Sequence, residues 1–137
     1  MKLLDFIVCD EVRVENTGKH FLVGVYSNEL IVAAPPNLPP PPIRMSFFIR
    51  LKAEERDPIK QSLDFSIWQG SEKLFDLQGQ VEIKNRDAFV NLGLNIGLVQ
   101  VKRYGDIRFE MKYGDKVFAP EVGLTIRSLI PDAASKN

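Results

Sequence analysis

The sequence has almost none of the side chains from which metal sites and nucleophilic active sites are usually built. Its 137 residues include one cysteine, Cys9, and one histidine, His20. One cysteine cannot form an intrachain disulfide, and one cysteine with one histidine cannot supply the ligand set of a thiolate zinc site. A lone reduced thiol is typical of a reducing compartment, so we expect a cytoplasmic protein without a metal or another cofactor.

An excess of charge of one sign is also missing. The chain carries 18 basic and 18 acidic residues, for a formal net charge of 0. Its basic residues are scattered among acids, whereas nucleic-acid binding needs a basic patch, so we expect no nucleic-acid partner. A zero net charge removes the electrostatic repulsion between copies of the chain, which permits a homo-oligomer.

Long apolar runs are absent as well. No run approaches the roughly 20 residues that cross a bilayer as a helix. Asp5, Asp10 and Glu11 interrupt the apolar N-terminal segment before it reaches the length of a signal peptide. We therefore expect neither a membrane span nor an export signal.

The apolar residues that are present alternate as they do in β-strands. Between Ile107 and Tyr113, every second residue is apolar and the residues between them are charged. The same period recurs over residues 45–51, 63–67, 90–98 and 122–126, with turn residues between the segments. This pattern predicts an all-β chain: an antiparallel two-sheet β-sandwich of about 7–9 strands, or alternatively a small β-barrel. We assign residues 1–130 to this single domain and expect residues 131–137 to be a flexible C-terminal tail.

The first hairpin tests whether Cys9 and His20 could act together. A four-residue loop at residues 16–19 sets Val14 opposite Phe21, and it sets Cys9 opposite Tyr26. Tyr26 would then be about 20 Å from His20 along the same strand, far beyond the reach of a nucleophile and its base. We therefore interpret Cys9 as a structural thiol and His20 as a surface residue.

Carboxylates are the remaining candidates for acid–base chemistry. The parity of Asp10 sets it on the apolar face of its strand, so we expect a bulge or the sheet's edge to turn it outward. We interpret residues 54–57, Glu-Glu-Arg-Asp, as a solvated loop rather than a calcium site, because the Asp-rich spacing of such sites is absent. Gly93 and Gly97 lack the Lys-Ser/Thr of a phosphate loop, and we expect them to allow close backbone approach or to form bulges.

Candidate interaction residues come mainly from a proline-rich segment. Residues 33–43, Ala-Ala-Pro-Pro-Asn-Leu-Pro-Pro-Pro-Pro-Ile, should form stiff polyproline II, either as a crossover between sheets or as a surface for a partner. Phe48 interrupts a polar strand face, and Trp68 lies at the end of a hairpin beside a glycine. The candidates are Pro36, Leu38, Pro39, Pro40, Phe48 and Trp68.

Several motifs resemble a family of small bacterial proteins. They are Cys-Asp-Glu-Val-Arg at residues 9–13, Glu15-Asn16 with Gly18-Lys19 at the first turn, Gly-Val-Tyr at residues 24–26, the proline-rich stretch and residues 105–113. That family carries only the label of a domain of unknown function. The resemblance implies an all-β fold and a bacterial cytosolic setting, and it implies no reaction, ligand or catalytic residue.

Three classes of function remain open. The first is a non-enzymatic interaction or structural module that docks a protein partner or a second copy through an edge strand or the proline segment. The second is a small-ligand or carbohydrate-binding module centred on Trp68, which should then lie exposed in a concave site. The third is a carboxylate-dependent enzyme, which requires two carboxylates that converge in a cleft. We expect the first class and no enzymatic activity.

Overall fold

A computed structural model of the protein describes residues 1–84, 89–120 and 123–130. Ten strands follow one another along the chain: β1 (Lys2–Val14), β2 (His20–Val25), β3 (Glu29–Val32), β4 (Ile43–Lys52), β5 (Lys60–Gln69), β6 (Glu72–Glu82), β7 (Phe89–Val99), β8 (Gly105–Tyr113), β9 (Lys116–Phe118) and β10 (Leu124–Ser128). The described residues form no helix, and so none that could cross a membrane. Val122 and the predicted tail at residues 131–137 lie outside the described residues.

The strands form two sheets that are packed face to face. The smaller sheet has the order β2-β1-β4-β7, and the larger has the order β3-β10-β8-β5-β6 with β9 also on β8. Neither sheet closes into a barrel, so the predicted β-sandwich is confirmed. The strands outnumber the prediction because β3 and β9, of 4 and 3 residues, are too short to show periodicity. β3 pairs with β10 in parallel, and the other pairs of strands are antiparallel.

The core lies between the two sheets and consists of the residues that alternation predicts. Phe6 and Phe47 of the smaller sheet meet Phe65 and Phe109 of the larger sheet. The ring centroids of Phe47 and Phe65 are 4.6 Å apart. Burial of each such ring contributes about 1.5–3 kcal/mol, which makes this cluster the main link between the sheets.

The proline-rich segment connects β3 in the larger sheet with β4 in the smaller sheet, so it is a crossover. Its ends are held by Ser128 Oγ, which donates to the Ala34 carbonyl at 2.5 Å, and by Gln100 Nε2, which donates to the carbonyl of the buried Pro40 at 3.1 Å. The Leu38 amide donates to the Pro35 carbonyl at 3.4 Å, so residues 35–38 form a turn and not the continuous polyproline II that the sequence predicted. Prolines suit this connection because their φ angles are fixed and they have no N–H group, so the segment between the two sheets leaves few backbone donors unpaired.

The register of the first hairpin differs from the prediction. Val14 pairs with His20 and Val12 pairs with Leu22. The Glu15 amide donates to the Lys19 carbonyl at 2.8 Å, which closes a three-residue loop. The prediction was wrong because it assumed that the hairpin buries all of its valines on one face.

The outer half of this hairpin folds over the outside of the smaller sheet. The Val12 amide donates to Asn95 Oδ1 at 2.9 Å, and Asn95 Nδ2 donates to the Val12 carbonyl at 2.8 Å. The close contact requires glycine on β7, because a Cβ at Gly93 would lie 2.8 Å from Val12 Cγ1. Gly97, with φ of +93°, lies opposite the register shift between Met45 and Ser46. Close approach at Gly93 and a bulge at Gly97 are therefore both confirmed.

Candidate functional site

The hairpin corrects the expectation for Phe48. Its side chain is on the outer face of the smaller sheet, as its parity predicts, but its exposed fraction is only 7%. Cys9 and Val12 pack against it, and the His20 ring lies 5.1 Å from its own ring. Phe48 therefore supports the hairpin and is not available to a partner, and His20 is half-buried rather than on the surface.

Cys9 is a structural thiol in this arrangement. Its side chain is fully buried, and Sγ donates a weak hydrogen bond to the Glu11 carbonyl at 3.5 Å. Burial raises the pKa of the Cys9 thiol, and the nearby Asp10 carboxylate raises it further, against the opposing effect of the backbone hydrogen bond. The thiol is therefore protonated and shielded, although the register used to separate it from His20 was wrong: Cys9 pairs with Val25, and Cys9 and His20 both contact Phe48.

Trp68 lies on the outer face of the larger sheet and is half-buried. Its Nε1 donates to Ser66 Oγ at 2.8 Å. Arg108 Cζ and Lys73 Nζ lie 4.9 Å and 5.3 Å from the indole ring, within the range of cation–π contacts. The depression beside the ring has a volume of about 160 Å³, whereas small-molecule sites usually occupy about 300–1,000 Å³.

Two carboxylates converge, as the third class of function requires, but they converge on the N-terminal ammonium of the same chain. Glu54 Oε1 and Asp57 Oδ2 lie 3.0 Å and 2.6 Å from the N-terminal ammonium of Met1. Lys116 Nζ donates to the Met1 carbonyl at 2.7 Å. The loop is solvated as predicted, with residues 54–56 exposed and Asp57 half-buried, and it also holds the start of β1 by these ion pairs. Burial alone would raise the pKa of Asp57, but its hydrogen bonds to the ammonium and to the Glu54 amide lower that pKa overall.

Asp10 accepts a hydrogen bond from the Tyr26 hydroxyl, a contact that the sequence did not predict. Tyr26 Oη lies 2.5 Å from Asp10 Oδ1 and 2.7 Å from the Arg44 carbonyl. Gly24 makes room for the carboxylate, since a Cβ there would lie 2.2 Å from Asp10 Oδ2. Burial and the hydrogen bond to Asp10 raise the pKa of Tyr26. Asp10, Gly24 and Tyr26 belong to two of the motifs that carry the family resemblance, and the hairpin brings those motifs together.

The depression beside Asp10 is polar, and its polar side chains form hydrogen bonds with other residues of the chain. It has a volume of about 300 Å³ and is lined by Asp10, Arg44, Ser46 and Asn95 among others. Ser46 Oγ donates to the Asp10 carbonyl at 3.0 Å, while Asn95 binds the backbone of Val12. These contacts hold the hairpin at its bend.

The proline crossover forms one wall of a larger surface at the end of the sandwich. Two depressions of about 400 Å³ and 450 Å³ adjoin there, and Pro36 and Tyr104 line both. We call this surface the proline face: Pro36, Leu38, Pro39, Lys102, Tyr104 and Ile130. Leu38 is 57% exposed there.

Three cations line the two depressions of the proline face, and two of them are paired with acids outside it. Lys102, Arg103 and Arg127 line the two depressions, and no acidic residue does so among the described part of the chain. Glu72 and Glu29 pair with the two arginines from outside, at 3.5 Å and 2.6 Å. The Tyr104 hydroxyl oxygen is buried and has no hydrogen-bond partner within the described ranges.

The six predicted interaction residues therefore do not form one site. Pro36, Leu38 and Pro39 line the proline face, whereas the buried Pro40 anchors the crossover. Trp68 lines a separate depression, and Phe48 is covered. Tyr104 was missed because an aromatic residue in a loop between strands shows no periodicity from which its contacts could be inferred.

Comparison with known proteins gives the class of the chain but no activity. A family model matches residues 4–124, which is most of the sequence. The chain belongs to this family, described as "Family of unknown function (DUF6941)". A search of curated proteins found no significant match. The predicted resemblance to a domain of unknown function is thereby confirmed.

Proposed function

We propose that this protein is a non-enzymatic interaction module that binds an extended acidic peptide segment of a partner protein on the proline face. The observation that carries the proposal is the pair of adjoining depressions that share Pro36 and Tyr104, lined by apolar side chains and by Lys102, Arg103 and Arg127, of which the two arginines also pair with glutamates outside the depressions. Apolar side chains of the peptide would contact Leu38 and Ile130. Its carboxylates would lie beside Lys102, where opposite charge favours both encounter and orientation.

The rigidity of the crossover supports this proposal. Its prolines have fixed φ angles and therefore little conformational freedom to lose, so ordering the segment against a partner costs little entropy. Hydrogen bonds to the carbonyls of Ala34 and Pro40 hold the crossover at its two ends. We also propose a bacterial cytoplasmic setting, on the evidence of the single reduced cysteine and the family resemblance.

The other two classes of function have less support. The depression at Trp68 is small, and two cations already lie over the indole ring. The carboxylates that converge, Glu54 and Asp57, both form ion pairs with the N-terminal ammonium.

Site-specific photo-crosslinking tests the proposal. A photoreactive amino acid replaces Leu38 in the full chain, and a control replaces Ile59, which is 56% exposed on the β4–β5 loop. In native cytosol we expect one stoichiometric adduct from position 38 that position 59 does not give. Equal adducts from both positions, or none from position 38, would contradict the proposal.

A charge reversal then tests the predicted chemistry of the partner. Lys102→Glu should weaken binding of the captured protein by about tenfold or more, because a carboxylate would face a carboxylate. Lys52→Glu makes the same change on an exposed residue of β4 and should leave binding unchanged. If the two variants bind alike, the partner does not use the proline face through its charge.

A further inference from the structure

A depression with cationic side chains lies between the first hairpin and the outer face of the smaller sheet. Its volume is about 390 Å³, within the range of about 300–1,000 Å³ that small-molecule sites usually occupy. We call it the hairpin notch, and it is lined chiefly by Lys19, His20, Leu22, Phe48, Arg50 and Asn91. It shares no residue with the proline face, so it is a separate candidate for binding.

The notch exists because the hairpin covers only part of the sheet. Phe48 on β4 pairs with Gly93 on β7, and there the hairpin comes close: an added Cβ at Gly93 would lie 3.8 Å from His20 Cδ2. The next outward-facing pair along the two strands is Arg50 with Asn91. Both of these side chains are exposed, so the hairpin does not cover them. Donors therefore reach the notch from the hairpin on one side and from the sheet on the other.

The positive charge of the notch is largely uncompensated. The Lys19 ammonium forms no ion pair and no hydrogen bond with any described residue, and the His20 ring nitrogens form no hydrogen bond within the described ranges. Arg50 Nη1 lies 3.7 Å from Asp5 Oδ2, a long distance for an ion pair, and both side chains are 45% exposed. An exposed pair of this kind is weak, so Arg50 can exchange Asp5 for a ligand.

The remaining groups of the notch add a donor and no acid. Arg50 Nε donates to Asn91 Oδ1 at 3.3 Å, which leaves the Nδ2 amide of Asn91 as a further donor. Among the described residues, no aspartate or glutamate lines the notch. The site therefore offers several donors, at least two of them charged, to a single anion.

We propose that the hairpin notch binds the phosphoryl group of a small phosphate monoester. Such a group carries about −1.5 to −2 charges at neutral pH and three acceptor oxygens, so it can accept hydrogen bonds from both sides of the notch at once. Arg50 presents a guanidinium fork that binds two phosphate oxygens together, and Lys19 presents a mobile ammonium. A carboxylate has one charge and two oxygens, so it satisfies fewer of these donors.

The floor of the notch suits a small molecule. Half-buried Leu22 and the edge of Phe48, which is 7% exposed, lie beside the cations and provide apolar contact for the organic part of the monoester. A nucleic acid would instead need a basic excess to displace its counterions, and this chain has a net charge of 0.

Heteronuclear NMR of the full chain tests this inference, because it reports both where a ligand binds and how tightly. Phenyl phosphate at neutral pH should shift the backbone amide signals of Lys19, His20 and Asn91 and leave those of Lys102 and Tyr104 in place. We expect a dissociation constant on the order of 1 mM. Inorganic phosphate, which has no group for the apolar floor, should bind more weakly, and acetate more weakly still.

Matched variants assign the binding to the notch. Lys19→Ala removes one charge-assisted contact from an exposed turn residue and should weaken phenyl phosphate binding by about tenfold. Arg50→Gln keeps a donor but removes the charge, and it should weaken binding to a similar extent. Lys60→Ala removes an exposed lysine at the start of β5 and should leave binding unchanged. The amide spectrum of each variant shows directly whether the fold is retained.

Several outcomes would overturn the proposal. They are signals that do not move, shifts that cluster at Lys102, or equal losses of binding in Lys19→Ala and Lys60→Ala. Acetate or inorganic phosphate that binds as tightly as phenyl phosphate would exclude a monoester. A single-stranded oligonucleotide that binds more tightly would exclude a small molecule. Lys102→Glu should leave the phenyl phosphate shifts unchanged, which separates this result from the test of the proline face.

Discussion

The strands β2 and β6 each lie at an edge of their own sheet, and they differ in the number of charged side chains that they carry. β6, from Glu72 to Glu82, carries charged residues along its length, including Lys73 and Asp76, which pair at 3.5 Å. β2 carries none and exposes three large apolar side chains. Charge at an edge discourages strand addition, so β6 is a protected edge, whereas β2 has no such charge and is irregular at Gly24, where φ is +65°.

The largest effect should come from removing the support beneath β2. Phe48→Ala would leave a cavity under the hairpin and should lower the free energy of unfolding by about 3–5 kcal/mol. Urea denaturation followed by circular dichroism measures the change. Phe21→Ala truncates the same kind of side chain on the exposed face of the hairpin and should cost less than about 1 kcal/mol. Equal losses for the two variants would mean that the hairpin does not rest on Phe48.

A smaller change in the free energy of unfolding should distinguish alanine substitutions at the glycines of these two edge strands. Gly24 on β2 has φ of +65°, and an added Cβ would clash with the Asp10 carboxylate. Gly24→Ala should therefore lower the free energy of unfolding by about 2 kcal/mol, from backbone strain together with crowding. Gly79 on β6 has nothing within 4 Å of an added Cβ, so Gly79→Ala should be neutral or slightly stabilising. Thermal unfolding of both variants decides this, and a tolerated alanine at Gly24 would show that β2 does not need its left-handed residue.

The smallest effect should appear at high pH at the end of β2. Burial and the hydrogen bond to Asp10 raise the pKa of Tyr26 above that of a free tyrosine. The unfolded chain then loses the phenolic proton before the folded chain does, so stability is complete below about pH 10 and falls as the pH rises above it. Tyr26→Phe should make the slope of unfolding free energy against pH shallower, by at most the contribution of one bound proton per molecule. Tyr113 has a raised pKa too, and it remains in both proteins, so only the difference between them reports on Tyr26. An unchanged slope would refute the assignment.

The sequence predicted the fold correctly where the alternation of apolar and polar residues along a strand was the only rule needed. The core face of β8, with Ile107, Phe109 and Met111, follows from alternation, because each strand of a sandwich has one side toward the other sheet. Gly93 and Gly97 were correctly assigned to close approach and a bulge. The crossover role of the proline segment was one of two predicted alternatives. Its use as a binding surface remains a proposal.

The sequence failed where a strand packs on two different surfaces. β1 faces the core at Phe6 and Val8, and beyond Asp10 it covers the outside of its own sheet at Val12. Alternation states which residues share a face, but it does not state what covers that face after the strand bends. The hairpin register and the burial of Phe48 were therefore both predicted wrongly.

The sequence by itself thus determined an all-β chain, its core strands and, with one cysteine, the absence of an intrachain disulfide, whereas the choice of a sandwich over a barrel came from the structure. These follow from composition and from a period of two, which are local properties of the chain. Only the tertiary structure decided that Asp10 meets Tyr26, that Glu54 and Asp57 hold the N-terminal ammonium, and that β2 displays an apolar edge. Each of these depends on which distant segments come together, and that is set by the packing of the whole chain and not by neighbouring residues.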